Sequence, residues 1–178
     1  MSSLDIIVPV FNEEDCLGEI LRRLTGVRDS LKASLDVSFL FVNDGSKDKS
    51  ADILKTFAEK FEYVKVINFA RNFGHQIAVT AGINNTNADY VAIIDADLQD
   101  PPELIVDMYK KSLEGYDIVY GKRLKRDKET MFKKLTAFGF YRVLNYMCNL
   151  DIPKDTGDFR LITKNVVDVL KNMPEHNR

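Results

Sequence analysis

The chain has no tryptophan, and its 178 residues include only two cysteines, two histidines and five prolines. Cys16 and Cys148 lie far apart and form no Cys-x-x-Cys, which argues against a disulfide framework. His75 and His176 do not repair the case for a zinc site. Charge of one sign is also scarce. Lys and Arg number 25 against 27 Asp and Glu, a formal net charge of -2, so no bulk basic surface suggests nucleic acid as a partner. No stretch approaches the roughly 18 apolar residues of a membrane span. The amino end runs straight into a strand, so no secretory leader is expected. Disorder is excluded by 45% hydrophobic and 29% charged residues, a globular composition. The length suits one domain with a good core, read as soluble and cytoplasmic.

What the chain does have is concentrated between Tyr90 and Glu103. An apolar run, Val91 to Ile94, is short enough for a buried strand. Asp95 and Asp97 follow with one residue between them, then Gln99 and Asp100. Two prolines come next and suit a first helical turn. Acids therefore crowd the carboxyl end of a buried strand, the edge where open α/β sheets bind ligands. Two carboxylates this close repel each other, and a cation would relieve the repulsion. Magnesium commonly uses one or two carboxylates plus substrate phosphates, and manganese also suits oxygen ligands. The bland alternative is a solvated acidic turn that starts the next helix.

The rest of the chain alternates in type. Asp5 to Phe11 reads as a first strand, with Pro9 near its end. Asn12 to Asp15 starts a helix with acids at its amino end, and Leu17, Ile20, Leu21, Leu24 and Leu31 follow helical spacing. Val37 to Val42 is a second strand, closed by the turn Asn43-Asp-Gly-Ser46. Asp48 or Ser50 can cap the next helix, which carries Ile53, Leu54, Phe57 and Phe61. Val64 to Ile67 is a third strand, and Gln76 to Asn84 a short helix. After the aspartates, Pro102 to Glu114 is a helix with Leu104, Ile105, Met108 and Leu113 turned inward. Asp117 to Tyr120 is a fifth strand. This alternation implies an α/β fold with a mostly parallel central sheet and helices on both faces. Three strand ends then supply Asn12 with Glu13, Asp44, and Asp95 with Asp97 to one cleft.

Four segments carry a family likeness: Val8-Pro-Val-Phe-Asn-Glu13, Val42-Asn-Asp-Gly-Ser46, Arg71-Asn-Phe-Gly-His75 and Asp95-Ala-Asp-Leu-Gln-Asp-Pro-Pro-Glu103. In this order they resemble the inverting glycosyltransferases of family 2. Within that family they look like the polyprenyl-phosphate glycosyltransferases, similar to dolichol-phosphate mannosyltransferase and bactoprenol glucosyltransferase. The resemblance covers nearly the whole chain. It implies a GT-A fold, a nucleoside-diphosphate sugar donor (UDP- or GDP-linked), Mg2+ or Mn2+ at the Asp-x-Asp, and a polyprenyl phosphate acceptor. By position, Pro9, Phe11 and Glu13 should line the nucleoside pocket, and Asp44 should contact base or ribose. Asp95 should lie near ribose or metal, Asp97 should be the main metal ligand, and Gln99 a further contact to metal or diphosphate. His75 either touches the nucleotide or anchors its loop. Phe11 as core, Glu13 as a helix-start charge and Asp44 as a turn residue are the alternatives.

Past the fifth strand, five of the eight residues from Gly121 to Lys128 are basic. They read as a surface loop or as a flap gripping phosphate, with Arg123 foremost because its planar fork binds phosphate oxygens bidentately. Glu129 to Cys148 reads as a long helix whose apolar face is too broad for a surface helix. It would pack on the sheet, on another subunit in a homo-oligomer, or at a membrane interface. Asp151 to Arg160 is rich in turn residues. The resemblance implies an acceptor-side aspartate here, with Asp158 the best match and Asp155 second. Phe159 to Thr163 reads as a strand and Asn165 to Leu170 as a last helix. Residues 1–178 are expected to form one GT-A catalytic domain, cut before membrane helices, at the cytoplasmic face of a membrane. A saccharide acceptor, or a nucleotide-sugar binding module without turnover, remains open. A nucleotidyltransferase would want a Gly-rich, lysine-bearing phosphate loop after the first strand, and Pro9 to Asp15 offers none.

Overall fold

A computed structural model describes residues 1–122 and 156–173 of the chain. It divides into two compact units, Met1–Tyr120 with Asp158–Arg178, and Gly121–Gly157. Only residues 121–122 and 156–157 of the second are described. The basic run beyond Lys122 with Arg123, the 129–148 segment, Asp155 and the 174–178 tail lie outside the described residues.

Six strands form one sheet in the order β3-β2-β1-β4-β6-β5. They are β1 (Ser2–Val10), β2 (Leu35–Asn43), β3 (Val64–Asn68), β4 (Tyr90–Ile93), β5 (Ile118–Lys122) and β6 (Thr156–Thr163). The helices are α1 (Leu17–Leu31), α2 (Ser50–Lys60), α3 (His75–Asn84), α4 (Leu104–Leu113) and α5 (Lys164–Asn172). β1 pairs in parallel with β2 and β4, and β2 with β3. β6 runs antiparallel to β4 and separates it from β5. The sheet is thus mostly parallel, as expected, with β6 reversed against β4.

The strands read as near-continuous apolar runs because both faces are covered. Leu4, Ile6, Val8 and Val10 of β1 join Phe39 and Phe41 of β2 and Ala92 of β4 on one face. There they meet α1, Leu54 of α2, and Ile105, Met108 and Tyr109 of α4. The alternate residues Ile7, Leu40, Val42, Val91 and Ile93 face Ala78, Val79 and Ile83 of α3 and Val167 of α5. Period-two alternation along a strand thus sorts the core into two layers. α3 lies close on the sheet because Gly82 has no side chain: a Cβ there would come 2.5 Å from Ile7 Cγ2.

Several boundaries differ from the sequence reading. α1 begins at Leu17, because residues 12–15 are taken up by a loop bonded to its neighbour. In α4 the inward residues are Ile105, Met108, Tyr109 and Ser112, whereas Leu104 and Leu113 are exposed. Leu104 opens that helix and Leu113 closes it, and both lie outside the buried set of Ile105, Met108, Tyr109 and Ser112. β6 begins at Thr156 and absorbs half of the turn-rich stretch. Its residues 160–163 pair with β4.

Candidate functional site

The parallel register brings the strand ends together. Ile7 pairs with Ile93, so two residues further on Pro9 is level with Asp95. Val10 pairs with Asn43, so Phe11 and Asp44 are level too. A pocket of about 280 Å³ opens at this edge, just below the size range of small-molecule sites. Its wall includes Pro9, Phe11, Glu13, Asp44, His75, Asp95 and Asp97. Gln99 is not part of that wall. Phe11 is exposed rather than core.

The loops after β1 and β2 are stitched to each other. The Asn12 amide donates to Ser46 Oγ at 3.0 Å, Glu13 to Ser50 Oγ at 3.0 Å and Glu14 to Asp48 Oδ2 at 3.1 Å. In return the Lys47 and Lys49 amides donate to the side chains of Asn12 and Glu14, both at 2.8 Å. Asn12 adopts a positive φ of 56° to make this turn, a conformation asparagine tolerates well. Asp48 also accepts the Ser50 amide at 2.9 Å at the start of α2. These partners fix Glu13 at the pocket. Sequence reading missed them, although hydroxyl, amide and carboxyl side chains directly after two buried strands are a signal for such stitching.

Asp44 is 3% exposed. Its Oδ1 accepts the Phe73 amide at 2.7 Å and its Oδ2 the Gly74 amide at 2.9 Å. It therefore fastens residues 73 and 74, and with them the start of α3, to the end of β2. Gly45 makes this closeness possible. Its φ is +66°, and a Cβ there would lie 2.3 Å from the Arg71 carbonyl carbon and 2.6 Å from the Asn72 nitrogen. Gly45→Ala combines left-handed strain with a backbone collision, so it is expected to destabilise the domain by about 2 kcal/mol or more. Urea unfolding measures this, and a loss below about 0.5 kcal/mol would refute the packing account.

Asp95 follows β4. Its side chain is 37% exposed overall, yet Oδ1 is buried and has no hydrogen-bond partner among the described residues. Burial pushes the Asp95 carboxyl above the ordinary carboxylate range; His75 pulls it down, and Asp97, Asp158 and Asp100 push it up. Glu13 is raised in the same way, first by burial and then by Asp97. Asp97 Oδ1 accepts the Gln99 amide at 3.0 Å, which folds the loop back on itself. Leu98 between them takes a φ of 60°, a conformation that strains a leucine by about 1–2 kcal/mol. The far end of the loop is anchored by Glu103, bonded in two places to Arg23 of α1 at 2.8 and 2.5 Å.

Asp158 enters from β6. Ile93 pairs with Arg160 in antiparallel register, so Asp95, two residues on, and Asp158, two residues back, come level. His75, the first residue of α3, stands between them. Its Nε2 lies 2.9 Å from Asp158 Oδ2 and 3.7 Å from Asp95 Oδ1. Asp158 adjoins the pocket through this histidine.

The crowded acids give a stability prediction. A carboxyl whose folded-state pKa is raised stabilises fully below its unfolded value, about 4, and that contribution fades as pH rises through the folded value. At neutral pH Asp95 is therefore a liability to the ligand-free fold. Asp95→Asn is expected to melt a few degrees higher than the parent at pH 7, with the gap closing toward pH 4. Melting curves across that range check it; a variant that melts lower at pH 7 would overturn the account.

The family model for glycosyl transferase family 2 matches residues 5–170. The chain belongs to glycosyl transferase family 2. It is 52% identical, over 97% of its length, to the uncharacterized glycosyltransferase YkcC of Bacillus subtilis strain 168, covering 53% of that protein. It is 38% identical, over 98% of its length, to the prophage bactoprenol glucosyl transferase homolog of Escherichia coli strain K12, covering 56% of it. The chain thus spans about half the length of the curated relatives it matches. The mannosyltransferase PcManGT of Pyrobaculum calidifontis, solved with GDP-Man and Mn2+, superposes with a TM-score of 0.66. It is 19% identical over 96% of this chain and 47% of that one, a likeness of fold. The chain has the GT-A fold that the resemblance of its motifs implied.

Proposed function

We propose that this glycosyltransferase moves a sugar from a nucleoside diphosphate to a polyprenyl phosphate with inversion, assisted by Mg2+ or Mn2+. The observation that carries the reading is one pocket at the sheet edge holding Glu13, Asp44, Asp95 and Asp97, with His75 and Asp158 alongside. Support for the acceptor comes from the bactoprenol glucosyl transferase name of a relative. Support for a metal-bound nucleotide sugar comes from the GDP-Man and Mn2+ named for a protein of like fold.

The residues fit a cation. A buried carboxylate oxygen without a hydrogen bond, on a carboxyl crowded by Asp97, Asp158 and Asp100, is what a divalent ion would relieve. Among the described residues no three His, Cys, Asp or Glu side chains are grouped to hold a metal by themselves. That suits an ion held by one or two carboxylates and completed by substrate phosphates. Asp97 and Asp95 would hold it, with Gln99 as a further polar contact, and it would offset negative charge on the departing diphosphate.

The chain's own groups do the remaining work. Pro9 and the exposed ring of Phe11 offer an apolar floor to the nucleoside. Asp44 keeps the 71–75 loop against it, and Glu13 faces the ribose side. An acceptor phosphate oxygen bonds to the anomeric carbon as the bond from that carbon to the diphosphate oxygen breaks. The electron pair leaves with the nucleoside diphosphate. A phosphate monoester has its second pKa at about 6, so at neutral pH it is mostly a dianion and the attacking oxygen needs no base. Asp158 therefore orients the acceptor or the sugar. Arg123 grips phosphate oxygens through its planar fork. We assign residues 1–178 to one catalytic domain and the membrane-surface contact to the full-length protein. Among the described residues no helix is long and apolar enough to cross a membrane.

The test is a thermal-shift screen of UDP and GDP, each with and without Mn2+. Stabilisation by one nucleotide, only when the cation is present, is the expected result. Equal or absent shifts with and without the ion would overturn the metal-dependent reading. Transfer from UDP-glucose or GDP-mannose to undecaprenyl phosphate, against a saccharide acceptor, then decides the acceptor.

A further inference from the structure

We propose that His75 is a positioning residue for the transfer: it holds the Asp158 carboxylate in place and keeps it from collapsing onto, or away from, Asp95. The inference rests on the reading of Asp158 as the acceptor-side acid.

Geometry carries it. Asp95 and Asp158 stand level where adjoining antiparallel strands meet, and two carboxylates this close repel each other. Such a pair, with nothing between, would swing apart. The His75 Nε2 lies between them, nearer to Asp158 (2.9 Å) than to Asp95 (3.7 Å). Among the described residues no other side chain hydrogen-bonds or ion-pairs with Asp158. The contact is made through Oδ2.

The histidine is itself well fixed. It opens α3, whose first turn closes through the Ile77 and Ala78 amides onto the Gly74 carbonyl at 3.0 and 3.1 Å. The Gly74 amide is in turn held by Asp44. A line of contacts thus runs from the end of β2, through Asp44 and Gly74, to His75 and on to Asp158. A side chain carried on a packed helix sets its partner more closely than one on a free loop. Because His75 also lines the pocket, a role in donor binding is the competing explanation, and the test must separate the two.

The experiment is a double-mutant cycle in the full-length enzyme, with undecaprenyl phosphate and whichever of UDP-glucose or GDP-mannose the thermal screen selects. His75→Ala is expected to lower kcat by about 10- to 100-fold, the scale of a misplaced group. The donor KM and the thermal shift with Mn2+ and nucleotide should stay within about twofold and about 1 °C. His75→Gln, which keeps an N–H donor, should recover most of the loss. In an Asp158→Asn background, His75→Ala should subtract less than about twofold more. A loss as large in that background as in the parent, or a raised donor KM with unchanged kcat, would overturn the proposal. If His75→Ala does not fold, the same cycle is run with His75→Leu. If Asp158→Asn alone leaves kcat unchanged, the underlying reading of Asp158 has failed and this proposal with it. An active-site role confined to His75 would instead leave Asp158→Asn impaired and the two effects additive.

Discussion

Replacing Asp158 with asparagine is expected to lower kcat with a polyprenyl phosphate by about 10- to 100-fold, with the donor KM within about twofold. The size follows from the role. Asparagine keeps the shape of the side chain but gives up the negative charge that pairs with His75 at 2.9 Å. The acceptor or sugar then loses its alignment, while the nucleotide end of the pocket is untouched. With a polyprenol in place of the phosphate, a proton must be removed as the bond forms, and a positioned base contributes about 10²–10⁴-fold. The same substitution should therefore be much more damaging with the alcohol. Turnover of both acceptors by parent and variant reads the difference. An equal collapse with both would mean that Asp158 takes a proton, or supports the fold, whatever the acceptor. Circular dichroism and the nucleotide-dependent thermal shift tell these two apart.

How much of this was legible beforehand depended on whether a residue's surroundings are local. The apolar runs of β1, β2 and β4 could be read because a strand covered on both faces has few polar residues to interrupt it. The face of α1 was legible because Leu17, Ile20, Leu21, Leu24 and Leu31 repeat at helical spacing, and all five are buried. The convergence of Glu13, Asp44, Asp95 and Asp97 followed from the rule that parallel strands end at one edge. What escaped was long-range. That β6 inserts beside β4, antiparallel, depends on pairing between residues some seventy positions apart, and its own segment carries turn residues. The function of Asp44 as a fastener of residues 73 and 74 depends on a loop thirty positions downstream. The sequence around His75 fits two roles because nothing in its own neighbourhood announces Asp158. Such partners become visible only when the sheet order is known.

Asp97→Asn is expected to abolish cation-dependent nucleotide binding while leaving the loop intact, which makes it the most direct probe of the pocket. The loop's own bond goes from the Gln99 amide to Asp97 Oδ1, and an asparagine oxygen accepts it equally well. Leu98 can therefore keep its positive φ. Only the charge is lost, and with it one of the repulsions that raise Glu13 and Asp95. The ligand-free variant should melt no lower than the parent. A ligand at 100 times its Kd stabilises by about 2.7 kcal/mol, or roughly 5–10 °C for a domain of this size. If removal of the charge weakens binding about 100-fold, the same concentration leaves only about 0.4 kcal/mol, close to 1 °C. The parent should thus shift strongly with Mn2+ and its nucleotide, and the variant hardly at all. Transfer activity should fall with it, by about 10³-fold or more at fixed donor. A variant that kept the full shift would place the ion elsewhere, and Asp95 with Glu13 would become the pair to examine. A variant that lost the shift but also melted lower would mean that Asp97 holds the loop through its charge, and that Leu98 is strained for the sake of the fold rather than the cation.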